Sequence, residues 1–335
     1  MKLVSFFIFT ILEQAASLQR KLLELMKTWC TLVIVFCCCT IHLKAQHKAV
    51  PFSAEALKNL ELSEDTLGIL GYAVVNDSLE DNRFAACHAM IPALVRALKT
   101  PNSFHFAFDR LKNISIQYPQ DSSFRIFTWQ LYVDKDDYRY YGAIQMNTPE
   151  LKLYPLMDRS FNVTDVEQEV LSADKWYGAV YYNLKETNTK NGKYYLLFGY
   201  DGYSFFNKRK VIDVLTFDKE GNPVFGAPVF VSEEKGKPTM AKKRLMLEYS
   251  AASSVRFNYD EALEMIVFDH LIPMAGQYGE GTVLVPDGSY EAYQLEKGVW
   301  KYQPMVLHAI MDEAPRPNPI LDTREKNILG KKGNN

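Results

Sequence analysis

Phe124-Arg125-Ile126-Phe127-Thr128-Trp129-Gln130-Leu131-Tyr132-Val133 is followed by Asp134-Lys135-Asp136-Asp137, then by Tyr138-Arg139-Tyr140-Tyr141-Gly142-Ala143-Ile144-Gln145-Met146. Two runs rich in aromatic and β-branched residues flank a short charged turn, which predicts an antiparallel hairpin. Parallel neighbours would need a long crossover, and none fits in four residues. The three aspartates also invite a calcium reading. A calcium loop that starts at Asp134 needs an oxygen ligand at its fifth position, Gly at its sixth and Glu at its twelfth. Tyr138, Arg139 and Gln145 stand there, so the turn reads as a solvated hairpin end.

The same texture continues downstream. Leu151 to Leu156, Trp176 to Leu184, Tyr194 to Tyr200, Lys210 to Phe217 and Pro223 to Phe230 read as strands. Arg244 to Tyr249, Ser254 to Asn258, Glu264 to Asp269, Thr282 to Val285, Tyr290 to Leu295 and Val299 to Tyr302 follow them. Short turns such as Tyr259-Asp260-Glu261 and Asp287-Gly288 separate them. Nineteen of the 20 tyrosines lie between Tyr118 and Tyr302. The expectation is an α+β chain whose body is an antiparallel meander over 115–311: a sandwich, a curled barrel or a small propeller. Tyr141-Gly142-Ala143-Ile144 and Tyr177-Gly178-Ala179-Val180 match locally, as faint evidence for repeated blades.

Upstream, 46–114 reads as a helical segment. Ser53 can cap a helix through Leu60, and Ser63-Glu64-Asp65-Thr66 can open a second through Leu67, Leu70 and Val74. Glu80 to Lys99 carries Phe84, Cys87, Ile91, Leu94 and Leu98 on one stripe. Pro92 within it should kink the helix or end it early. An exposed stripe there would make the segment a docking arm for an envelope complex.

Residues 26–46, MKTWCTLVIVFCCCTIHLKAQ, pair a short basic start with an apolar run and a small residue at Ala45. This is the pattern of a secretory signal, with Met26 as initiator and residues 1–45 removed. The competing readings are an uncleaved anchor and lipidation in the run Cys37-Cys38-Cys39. The apolar runs fall short of the roughly 20 residues a spanning helix needs, and Phe36 is large for a lipidation site. Removal of residues 1–45 leaves 33 basic and 38 acidic residues and a single cysteine, Cys87. No internal disulfide is then possible, and a chain of this length can bury its core without one. The net charge of −2 for the whole chain argues against a nucleic-acid surface. Residues 312–335, with Pro315, Pro317 and Pro319, read as an extended tail.

No catalytic residue, metal ligand or cofactor site emerges from spacing. Cys87 sits on the apolar stripe beside His88, as a buried structural cysteine would. His47, His88, His105, His270 and His308 lack the spacing of a metal pair. Asp269-His270 ends a strand-like run, and alternation puts the two on opposite faces. No nucleophile elbow, phosphate loop or dinucleotide fingerprint occurs. The candidate ligand-binding residues are aromatic: Trp129, Trp176, Tyr200, Tyr203 and Trp300, whose rings could stack on sugars or partner side chains. The competing reading makes them core between sheets.

Several stretches together resemble a group of secreted proteins of Bacteroidota with no assigned activity. They include Phe124 to Trp129, Tyr140 to Gln145, Trp176 to Tyr182, Ile212 to Asp218, Met265 to Leu271 and Val285 to Tyr290. The resemblance implies export and transfers no site residue. The expected function is an exported periplasmic, cell-surface or extracellular protein, a non-catalytic binding or structural module. Its partner would be a glycan, a peptide or an envelope protein. The alternative is a secreted hydrolase whose carboxylates meet only in the fold.

Overall fold

The computed structural model describes residues 52–307, apart from residues 191, 234–239, 277, 278 and 280. The expected export signal, the expected extended tail, His47 and His308 lie outside the described residues.

Helix α1 spans Ala54–Asn76 and α2 spans Glu80–Leu98. Ser53 caps α1, its hydroxyl accepting from Ala56 N at 3.1 Å. The two helices expected between Ser53 and Val74 are one. Ser63 Oγ donates to Asn59 O and Thr66 Oγ1 to Leu62 O, so both hydroxyls bond back into the helix instead of opening a new one. Pro92 does not stop α2. Its ring and His88, four residues earlier, both face solvent, where water can serve the carbonyl the missing N–H leaves. The stripe of α2 is not an exposed docking face: Cys87, Leu94 and Leu98 are buried.

Three sheets follow. The first runs β1 (Ser115–Gln117), β2 (Phe124–Asp134), β3 (Asp137–Met146), β4 (Leu153–Met157) in spatial order. The second is ordered β5 (Leu171–Ser172), β9 (Pro223–Phe225), β8 (Asn207–Phe217), β7 (Gly192–Asp201), β6 (Val180–Thr189), with β11 (Leu245–Ser250) also on β8. The third is ordered β10 (Phe230–Val231), β15 (Val299–Leu307), β14 (Thr282–Glu296), β13 (Met265–Ala275), β12 (Phe257–Asp260). All pairings are antiparallel except β10 with β15. The expected α+β class with an antiparallel β body is what the chain adopts.

The layers are helices, first sheet, second sheet, third sheet, and each interface has its own core. Phe127, Trp129 and Leu131 face Leu60, Leu67, Cys87 and Leu94 of the helices. Phe124, Ile126 and Ile144 face Tyr181, Tyr195, Leu197 and Leu215 of the second sheet. Leu196, Phe198 and Ile212 face Phe257, Ile266, Tyr293 and Trp300 of the third. Strands β2 and β7 of the inner sheets are therefore covered on both faces, which explains why Phe124–Trp129 and Tyr194–Phe198 are nearly continuous apolar runs. The helices share their core with the first sheet, and the described residues belong to one compact unit.

Two buried cations lock these layers. Arg125 donates to Gln145 Oε1, Phe106 O, Tyr118 Oη and Ser103 O at 2.7–2.9 Å, tying the segment before β1 to β2. Arg244 lies 3.0 Å from the carboxylate of Asp213, both fully shielded. Asp213 shares a strand face with Val211 and Leu215, toward the first sheet.

Some strand boundaries differ from expectation. Pro223 to Phe230 divides into β9 and β10, because Gly226 takes a φ of +98° and turns the chain out of the strand. Thr282 to Leu295 is one strand. Asp287-Gly288, expected as a turn, forms a bulge opposite His270, with Gly288 at φ +89°. The two Tyr-Gly-Ala stretches occupy unlike places, one inside β3 and one in the approach to β6, so they mark no repeat.

Candidate functional site

The first sheet is four strands wide, but the helices pack chiefly over β2. Register defines what this leaves. Trp129 lies opposite Tyr141 and Tyr141 opposite Met157; Phe127 lies opposite Ala143 and Ala143 opposite Pro155. Cross-strand partners share a face, so all six look toward the helix layer. On β2 that face is buried. On β4 it is open: Met157 is 52% exposed and Pro155 is exposed too.

The uncovered face and the flank of α2 enclose a groove of about 660 Å³. Ile91, Leu94 and Val95 form one wall, and Leu153, Pro155 and Met157 the other. The floor is Ala143 with the stacked Trp129–Tyr141 pair, ring centres 5.7 Å apart. Cys87 lies beside that pair; burial raises its thiol pKa, against opposing contributions from Trp129 and Tyr141. Burial also pushes the Tyr141 hydroxyl up to about 12. Neither group ionises readily near neutrality, so the floor is uncharged.

Polar groups gather beyond the Met157 end of the β3–β4 pairing: Asp137, Arg139, Asp158, Arg159 and Ser160, with Phe161 beside them. Arg139 pairs with Asp137 at 3.3 Å. Asp158 is consumed by the fold. Its carboxylate accepts from Tyr140 N, Ser160 N, Ser160 Oγ and Gly178 N at 2.8–3.3 Å. A Cβ on Gly178 would come within 2.5 Å of that carboxylate, so glycine is needed for the approach. Arg159 stacks on Phe161, 5.9 Å from the ring centre, and no carboxylate pairs with it among the described residues.

The five aromatic candidates are not brought together as one surface. Trp176, fully buried, donates to Tyr181 Oη at 2.7 Å inside the core between the first two sheets. Trp300, 2% exposed, packs edge-on to Tyr259 in the core between the second and third. Trp129 is 4% exposed and reaches the groove only from beneath. Tyr200 is half-buried, its hydroxyl pushed up to about 12, chiefly by burial. Tyr203 is the exposed member, with the Arg209 guanidinium 3.3 Å above its ring. The reason is the layering: Trp129 on β2 and Trp300 on β15 point into the cores between layers, and Trp176, at an isolated bridge before β6, is drawn into the core between the first two sheets. The non-alternating runs around Trp129 carry that signal in the sequence. Pro155 in the short β4 run marks an edge strand, but Ile91, Leu94, Val95, Met157, Arg159 and Phe161 are assembled by layer stacking, which no local pattern encodes.

Two further polar clusters serve structure. Asp201 accepts from Tyr140 Oη, Tyr177 Oη and Tyr203 N at 2.8–2.9 Å, its pKa raised by burial. His270 Nδ1 lies 2.8 Å from Asp287 Oδ2. Ser289 Oγ donates to Asp287 rather than to the histidine, so the three do not form a nucleophile–base relay.

Among the described residues, no group of three or more His, Cys, Asp or Glu side chains is placed to hold a metal ion. Among the same residues, no helix is long and apolar enough to cross a membrane. No protein-family model, curated protein or solved structure matches the chain.

Proposed function

We propose that this is an exported protein of the periplasm, cell surface or exterior that works by binding, and that its ligand seats in the groove between α2 and β3–β4. The observation that carries the reading is the incomplete cover of the first sheet, which leaves an apolar cavity of about 660 Å³ with polar groups at one end. That volume lies within the roughly 300–1,000 Å³ of small-molecule sites, and such sites combine an apolar lining with a few placed polar groups. The secretory pattern at residues 26–45 supports export. The floor offers no ionised acid, base or nucleophile, which weighs toward binding over hydrolysis.

The test is a thermal-shift screen of the full chain against glycans, peptides and amphiphiles. A ligand at 100 times its Kd adds about 2.7 kcal/mol of stability. Met157→Asp, which puts a charge on the exposed wall, should abolish the shift. A shift that survives in that variant would place the site elsewhere.

A further inference from the structure

We propose that the groove accepts a single-chain amphiphile with an anionic head, its aliphatic chain along the trough and its acid at Arg159. This rests on the reading of the groove as the binding site and narrows the ligand class.

The charged groups of the groove sit at one end of it. A saccharide presents hydroxyls all round its rings and needs partners along its length. The walls here are Ile91, Leu94 and Val95 on one side and Leu153, Pro155 and Met157 on the other, so hydroxyls along the trough would be buried unpaired. An extended peptide would need the free edge of β4 for its backbone. Pro155 offers no N–H there, and the strand's end is already bonded: Trp176 N donates to Met157 O at 3.0 Å and Arg159 N to Trp176 O at 2.9 Å. A hydrocarbon chain needs no hydrogen bonds, and an acid head needs one cation at one end.

The charge balance at that end supplies it. The groove is lined by Asp137, Arg139, Asp158 and Arg159. Asp137 is spent on Arg139, and Asp158 on four N–H and O–H donors. Arg159 is left facing the cavity beside Phe161, without a carboxylate among the described residues. Its guanidinium can take a carboxylate or phosphate through paired N–H donors. Free fatty acids and lysophospholipids share this chemistry.

Calorimetric titration of the full chain with octanoate, decanoate, dodecanoate and 1-decanol, all below their micelle concentrations, tests the proposal. Affinity should rise about fourfold per added methylene until the trough is full. Arg159→Gln should weaken decanoate roughly tenfold and leave 1-decanol within about twofold. Met157→Asp should abolish both. These are exposed positions, so unchanged melting of the ligand-free variants confirms that each folds. Lysophosphatidate of matched chain length, run beside dodecanoate, tells a phospholipid head from a free acid by which binds more tightly. Equal loss of decanoate and 1-decanol affinity in Arg159→Gln would overturn the head-group assignment. If no amphiphile binds, but a hexasaccharide or decapeptide binds and loses its affinity in Met157→Asp, the amphiphile falls and the groove stands. Binding of any of these that is indifferent to Met157→Asp overturns both.

Discussion

β2 and β4 belong to one sheet, two strands apart, and have opposite fates. β2 carries Phe124 and Ile126 into the core below and Phe127, Trp129 and Leu131 into the core above. β4 buries Leu156 below, while Pro155 and Met157 stay open above. The strands differ in what covers them, since both are largely apolar. Two helices shield part of the sheet and leave the rest as one wall of a groove. A groove can thus arise where a layer stops, without any local motif that marks it.

The largest effect should come from the doubly covered region. Arg244→Ala leaves Asp213 as an unpaired buried charge and should cost about 3–5 kcal/mol in urea unfolding. A cost under about 1 kcal/mol would mean that water reaches this interface. Next comes the contrast within the first sheet. Leu131→Ala should cost about 2–5 kcal/mol, and Met157→Ala no more than about 0.5 kcal/mol. Comparable losses would show that β4 is covered in solution. Cys87 reports on how tightly the helices close over β2. Burial raises its thiol pKa, so a disulfide reagent at pH 8 should react slowly with the native chain and rapidly in urea. Fast native reaction would mean that the α2–β2 seam opens readily.

The smallest effect belongs to the bulge of β14. Asp287 is held at about 2, first by hydrogen bonds from the Ser289 hydroxyl and backbone, then by His270. A carboxylate whose pKa falls on folding adds stability that is fully present above its unfolded value and is lost as pH falls toward the folded one. Asp287→Asn should therefore flatten the stability curve between about pH 4 and pH 2. An unchanged acid limb would remove Asp287 from the account of this arm.

The hairpin of Phe124 to Met146 was legible because its signals are local: apolar runs and a charged turn. The apolar stripe of α2 was legible for the same reason, and so was the structural role of Cys87. The Asp287-Gly288 bulge was misread because a turn and a bulge ask the same positive φ of glycine. The tryptophans were ambiguous because a strand's own pattern shows which side chains share a face, not whether another layer covers that face. Continuous apolar runs such as Tyr194 to Phe198 were the available clue. The groove was not legible, since Ile91 and Met157 meet only once helices and sheet are stacked.

Hydrogen exchange with and without the best-binding ligand tests the central claim most directly. Bound ligand should protect amides in α2 around Ile91–Val95 and in the segment Leu153–Phe161, leaving the rest of the chain little changed. Protection confined to Tyr200–Tyr203 or to the β13–β14 arm, with these two segments unaffected, would contradict it.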